Sequence, residues 1–259
     1  MKTLGINIDG VLRDWLDKFD RHYRKVFIHN PGIVAMNEEN FTYREFTKEE
    51  EDEEQARIEK LEKELLTLPV DSFDLLNHYR FEPKKIEMFE ALELENKGQK
   101  VELNTEPIFM SPKEHLEYFI NEQYPYQIFA EAPEFKGAVE AANKIQHIGE
   151  KNGIFKVVLF STLKHKAVPP TYGFLGKYHC RVKNVMFLES EEDKWNHADI
   201  IIDVHPKVFQ SCPPNKKSIK INHLFNQWDS ASYSFDSLKE IADEDFLFTL
   251  FNYNKQIKQ

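Results

Sequence analysis

Five short apolar runs recur along the chain: Thr3 to Ile8, Phe155 to Phe160, Asn184 to Leu188, Asp199 to Ile202 and Ser218 to Ile221. Each has the length of a buried strand. Between and around them apolar residues return at helical spacing, which predicts helices over Leu12 to Val26, Phe135 to Glu150 and Thr171 to Tyr178, and a last one over Phe235 to Tyr253. Near-continuous apolar strands alternating with helices predict an α/β fold, a five-stranded parallel sheet covered on both faces. In such sheets ligands bind beyond the carboxyl ends of the strands, where Asp9, Ser161 and Asp203 all fall.

From about Asn30 to Gln127 this rhythm breaks, and the chain becomes charged and aromatic-rich. Thr47 is placed to cap a helix through KEEEDEEQARIEKLEKELL, acidic at its start and more basic later, as the helix dipole prefers. Ile58, Leu61, Leu65 and Leu66 give that helix an apolar stripe, so the acidic run reads as a solvated face. Ser111-Pro112-Lys113-Glu114 is a capping box with proline at the first helical position, predicting a helix to about Glu122. Phe41, Tyr43, Phe46, Phe73, Tyr79 and Phe81 either build a small core of this segment or stack on a nucleobase. The organisation expected is a core domain of residues 1–30 and 128–259, with an inserted cap of residues 31–127.

Composition narrows the function. With 259 residues, 41% of them hydrophobic, a packed core is feasible. The formal charge of −10 repels nucleic-acid backbone but leaves room for a small phosphorylated ligand in a locally basic pocket. Cys180 and Cys212 lack the spacing of a disulfide framework or a zinc site, which fits a reducing compartment. The start, MKTLGINIDG, turns acidic too soon for a signal peptide, and no run approaches the ~20 apolar residues of a membrane span. A soluble, cytoplasmic protein with no membrane partner is expected.

The strand ends carry the candidate chemistry. Asn7 and Asp9 close the first strand, Ser161 and Thr162 the second, and Asp203 the fourth, with Lys194 shortly before it. Acids, hydroxyls and one lysine converging at a sheet edge suit phosphate chemistry. The lysine offsets phosphoryl charge, hydroxyls hydrogen-bond its oxygens, and carboxylates hold Mg²⁺. His78, His115, His147, His165, His179, His197, His205 and His223 show no ligand spacing such as HExxH, and Lys164-His165-Lys166 reads as an exposed basic loop.

In order and spacing these residues resemble the haloacid dehalogenase-like superfamily, and within it the 5′-nucleotidase and 5′(3′)-deoxyribonucleotidase branch. The DxDG[VT] motif of that family reads NIDGV here. Its strand ending in Ser or Thr reads VVLFST, and its Lys before a strand ending in Asp reads KWNHADIIID. PEFKGAVEAANKI and IKINHLFNQW also resemble stretches of the branch, and the insertion falls where the superfamily places a substrate-selecting cap. The resemblance implies a Rossmann-like three-layer sandwich. Position 7 becomes the nucleophile and Asp9 the general acid and base, with Ser161, Thr162 and Lys194 gripping phosphate. Asn7, Asp9 and Asp203 become the metal site. Asn7 departs from the pattern. A carboxamide is a poor oxygen nucleophile and carries one charge fewer toward Mg²⁺, which is expected to bind weakly or not at all if the residue is native. The reading is therefore a nucleotidase-related protein that has lost phosphatase activity and acts by binding a nucleotide, another phosphorylated small molecule, or a protein partner through the acidic cap. The alternatives are an active Mg²⁺-dependent 5′-nucleotidase with Asn7 engineered or tolerated, and a structural protein of a larger assembly. Proteins resembling this branch are common in tailed bacteriophages, so host cytoplasm or virion is the matching location.

Overall fold

In the computed structural model the described residues are 1–28, 35–37, 42–44, 48–66, 75–79, 84–86 and 108–253. The first strand, β1 (Lys2–Asn7), buries every residue after Lys2. Two small antiparallel pairs follow, β2 (Ala35–Asn37) with β3 (Thr42–Arg44) and β4 (Lys84–Ile86) with β5 (Ile108–Met110). Then come β6 (Phe155–Ser161), β7 (Val185–Phe187), β8 (Ile200–Asp203), β9 (Lys217–Ile221) and β10 (Tyr233–Phe235). The main sheet is six-stranded and parallel, in the order β10-β9-β8-β1-β6-β7.

Alternation along the strands builds two cores. Leu4, Ile6, Val157, Leu159, Ile200 and Ile202 join the helix Ala138–Asn152, the helix Val168–Lys177 and the C-terminal helices in one apolar cluster. Val158, Phe160 and Ile201 join Trp195, Ala198 and Val208 in another, under the short helix Pro206–Gln210. Helices on both faces of a parallel sheet make the three-layer α/β sandwich the sequence predicts.

The sequence reading needs correction at three places. The sheet has six strands rather than five, because Tyr233–Phe235 pairs with β9 where the last helix was expected to begin. That helix is also broken in two, Leu238–Ile241 and Glu244–Leu250, since the Asp243 carboxylate accepts from Phe246 N at 2.9 Å and starts a new helix. The first helix runs Trp15–Tyr23 rather than from Leu12, because Leu12 N and Arg13 N both donate to Ile8 O (3.0 Å each) in a tight turn.

Between β5 and β6, the capping box at Ser111 is present and opens the helix Pro112–Tyr118. The helix Lys48–Leu66 exposes Asp52, Glu53, Glu59 and Lys60 to solvent. Tyr79 is buried, with its ring edge-on to Phe19 (centroids 4.9 Å apart) and its hydroxyl donating to Asp20 Oδ1 at 2.9 Å. It belongs to an aromatic core with Phe19, Tyr23, Leu116, Phe119, Ile128 and Phe129, so it does not serve as a free stacking surface. Thr47, Phe41, Phe46, Phe73 and Phe81, and the side chains of Tyr43, Leu61, Leu65 and Leu66, lie outside the described residues. No helix among the described residues is long and apolar enough to cross a membrane.

Candidate functional site

Strands β1, β6 and β8 end side by side. Asn7 is paired with Phe160 of β6, and Ile6 with Ile202 of β8, so Ser161 and Asp203 follow on either side of Asn7. The chain leaves β1 for β6 and β7 on one side and returns to β8 on the other. A parallel sheet opens a crevice at such a switch point. Gly10 follows Asp9 at φ +88°, where a Cβ would lie 2.4 Å from Val204 Cγ2, and Gly10 N donates to Arg13 O at 3.0 Å. Only glycine suits this turn, which faces Asp9 toward Arg13.

Asn7 is buried at the centre. Its Nδ2 donates to the Asp9 carbonyl oxygen (2.6 Å) and to Asp203 Oδ1 (3.1 Å), and its Oδ1 accepts from Lys194 Nζ (3.1 Å). The neighbours decide which way the amide points. Turned over, its oxygen would face two oxygens and its NH₂ an ammonium. Lys194 is fully buried and spends its three N–H bonds on Asn7 Oδ1, Asp203 Oδ2 (2.7 Å) and Glu191 Oε2. Asp203 Oδ1 also accepts from the backbone N–H groups of Val204 (2.7 Å) and His205 (2.9 Å). Burial alone would lower the Lys194 pKa, but the Asp203 and Glu191 carboxylates outweigh it and hold it above its ordinary value. Burial likewise opposes ionisation of Glu191, yet Lys194 and His205 prevail and keep its carboxyl below the usual range.

Asp9 is equally engaged. Its Oδ1 accepts from Arg13 Nε at 3.0 Å and from a second guanidinium nitrogen, and its Oδ2 from Ser161 Oγ at 2.8 Å. Ser161 Oγ in turn accepts from Leu163 N (3.2 Å), and Thr162 Oγ1 donates to Glu191 Oε1 (2.8 Å). The six residues singled out in the sequence, Asn7, Asp9, Ser161, Thr162, Lys194 and Asp203, thus fall in one neighbourhood, with Thr162 joined to Lys194 through Glu191. Lys164 and Lys166, beside it, are paired with Glu189 (2.6 Å) and Glu122 (2.9 Å). Asp199 sits at the far end of β8, where its carboxylate accepts from Thr3 N (2.7 Å).

Two residues of the network were missed from the sequence. Arg13 has no exposed surface; it lies between the rings of Phe129 and Phe174 and also donates to Phe129 O and Thr171 Oγ1 (3.2 Å each). Glu191 bridges Thr162 and Lys194. The signal available for both was spacing, an acid and a base four residues apart in Asp9/Arg13 and three apart in Glu191/Lys194.

The resemblance points to Mg²⁺ here, held by Asn7 together with the Asp9 carbonyl and Asp203. As arranged, the residues do not fit it. Mg²⁺ demands oxygen ligands in near-octahedral geometry. The Asn7 NH₂ instead directs a donor at each of those two oxygens, and the Asp9 carboxylate faces a guanidinium. Among the described residues no group of three His, Cys, Asp or Glu is placed to hold a metal ion.

His223 closes the site from β9. Its Nε2 lies 3.0 Å from the Gly10 carbonyl and so carries the proton, and its ring stacks on Phe225. Burial lowers the His223 pKa from its ordinary value, as it does for His205. The unfolded chain therefore takes up protons near pH 6.5 where the folded one does not. Stability is fully present above that pH and lost as pH falls below it. Melting temperatures between pH 7.5 and 5.5 are expected to fall, and His223→Gln is expected to flatten that slope; an unchanged slope would count against a neutral, half-buried His223.

No protein-family model and no curated protein matches the chain. Among solved structures it is similar to a haloacid dehalogenase-like hydrolase from Burkholderia xenovorans at 12% identity, with 95% of this chain and 97% of that one covered and a TM-score of 0.43. It is similar to the HAD-hydrolase YfnB from Bacillus subtilis, bound to magnesium, at 12% identity, 97% and 98% coverage and a TM-score of 0.45. A third similarity is to a protein assigned as a beta-phosphoglucomutase from Thermotoga maritima, at 14% identity, 96% and 100% coverage and a TM-score of 0.47. The ligands and activities of these structures are their own.

Proposed function

We propose that this chain is a haloacid dehalogenase-like, nucleotidase-related protein that binds a nucleotide or another phosphorylated small molecule without hydrolysing it. One observation carries the reading. The side chain at the nucleophile position is a carboxamide whose oxygen already accepts from Lys194, and whose nitrogen bonds the two oxygens that would otherwise serve a metal. A neutral amide oxygen is a poor nucleophile, so an aspartyl-phosphate route has no first step here. The remaining groups suit recognition of a phosphate, with hydroxyls at Ser161 and Thr162 and a cation at Lys194. The exposed acids Asp52, Glu53 and Glu59 on the helix Lys48–Leu66 favour a second role, contact with a basic protein surface.

The test is a panel of nucleoside and deoxynucleoside monophosphates, assayed with Mg²⁺ for phosphate release and for thermal stabilisation of the native chain. No release above background, with stabilisation by at least one nucleotide, is expected. Turnover on the ordinary enzymatic scale of about 1 s⁻¹ or faster overturns the reading. Absence of both release and stabilisation leaves the protein-contact role.

A further inference from the structure

Thr162 and Lys194 are the two donors that a phosphate would need, and both already hold an anion that belongs to the protein. The Glu191 carboxylate accepts from Thr162 Oγ1 at 2.8 Å with one oxygen and from Lys194 Nζ with the other. It is the outermost carboxylate on that lysine, with 16% of its side chain exposed where Lys194 and Asp203 show none. Its loop is held in place. Ser190 N donates to Asp193 Oδ2 (3.1 Å), Asp193 N to Ser190 Oγ (3.3 Å), and Leu188 N to Ser161 O (2.9 Å). Lys194 has no donor left over, so an incoming phosphate oxygen can reach it only by replacing one of its three acceptors. Asn7 and Asp203 are buried on strands beneath it, whereas Glu191 stands at the solvent side on a loop.

We infer that Glu191 is an internal anion that occupies the phosphate position by bridging Thr162 and Lys194, and that a phosphorylated ligand binds by displacing it. This rests on the phosphate-binding reading above. Glu191 sets the affinity of the pocket, since every ligand must compete with a tethered carboxylate for the same two donors.

Inorganic phosphate is the probe, titrated calorimetrically into the native chain, Glu191→Gln and Glu192→Gln. Glu192 is exposed, one residue along, and removes the same charge without touching Lys194. The amide in Glu191→Gln keeps the shape and an acceptor for Lys194, and the fold is checked by circular dichroism. Glu191→Gln is expected to bind phosphate at least about tenfold more tightly than the native chain, a gain of about 1.4 kcal/mol, with Glu192→Gln close to native. Should Glu191→Gln not fold, Glu191→Asp retains the charge on a stem too short to span both donors and is expected to shift affinity the same way. Equal affinity in the native and Glu191 variants, or an equal gain in Glu192→Gln, overturns the displacement by Glu191 while leaving the phosphate site in place. No binding by any of them overturns the phosphate site itself, and the inference with it.

Discussion

Replacing Asn7 by aspartate is expected to make the protein less stable without metal and responsive to Mg²⁺, a response the native chain lacks. The native amide gives two N–H bonds, to the Asp9 carbonyl (2.6 Å) and to Asp203 Oδ1 (3.1 Å). A carboxylate in its place has no donors and sets a second negative charge against Asp203, inside a region where, among the described residues, Lys194 is the one cation touching both. Lost hydrogen bonds and like-charge contact in a buried site together cost about 2–4 kcal/mol. For a chain of this size that lowers the melting temperature by roughly 5–15 °C. The same change turns two amide-satisfied oxygens and a new carboxylate into a set of hard oxygen ligands, so the variant is expected to regain stability with Mg²⁺. At about 100 times the dissociation constant that recovery is ~2.7 kcal/mol.

Melting curves of the native chain and Asn7→Asp, in EDTA and across a Mg²⁺ titration, decide this. An equal response of both proteins to Mg²⁺ would show that the Asn7 amide is not what keeps the cation out. Phosphate release by the variant is expected to stay slow, since both oxygens of Asp9 remain committed to Arg13 and Ser161 and none faces a leaving group.

How much of this was legible in the sequence follows from the range over which each feature is decided. The strands β1, β6 and β8 are apolar on both faces, so their runs stand out locally and their last residues mark the sheet edge. That was enough to bring Asn7, Asp9, Ser161, Lys194 and Asp203 into one site. The edge strand β10 is three residues long and half-exposed, and Tyr-Ser-Phe offers too little alternation to separate it from the helix that follows. The partners inside the site were harder to see. Arg13 reads like Arg21, which also has an acid four residues before it, yet Arg21 pairs with Asp17 in solvent and Arg13 is sealed in the core. What separates them is Phe129 and Thr171, more than a hundred residues away in the chain. The same holds for Glu191, whose role depends on Thr162 from another strand end. Residue type and strand position brought these residues together on one sheet edge, whereas the bonds among them depend on long-range contacts.

Arg13 supplies the largest loss of stability expected for any single side chain in the network. Its guanidinium is fully buried, pairs with Asp9, donates to Phe129 O and Thr171 Oγ1, and lies over the rings of Phe129 and Phe174 at 4.8 and 5.2 Å. Burial holds its pKa below the ordinary value and Asp9 offsets only part of that; the group stays charged because arginine does not deprotonate in proteins. Arg13→Ala removes the counter-charge of Asp9, takes the donor from the Phe129 carbonyl while Thr171 Oγ1 keeps its own bond to Ala167 O, and leaves a cavity between two rings, for an expected cost of about 4–6 kcal/mol. Arg13→Met refills most of the volume and separates charge from packing, at an expected ~3 kcal/mol. Adding Asp9→Asn to Arg13→Met removes a half-buried carboxylate left without its counter-charge, and the double variant is expected to recover at least about 1 kcal/mol relative to Arg13→Met alone. Urea unfolding of the native chain, Asp9→Asn, Arg13→Met and the double variant gives the coupling directly. Strict additivity of the two substitutions would mean that Asp9 and Arg13 do not depend on each other. In that case Asp9 would be free to act on a ligand, and the case for a silent site would rest on Asn7 alone.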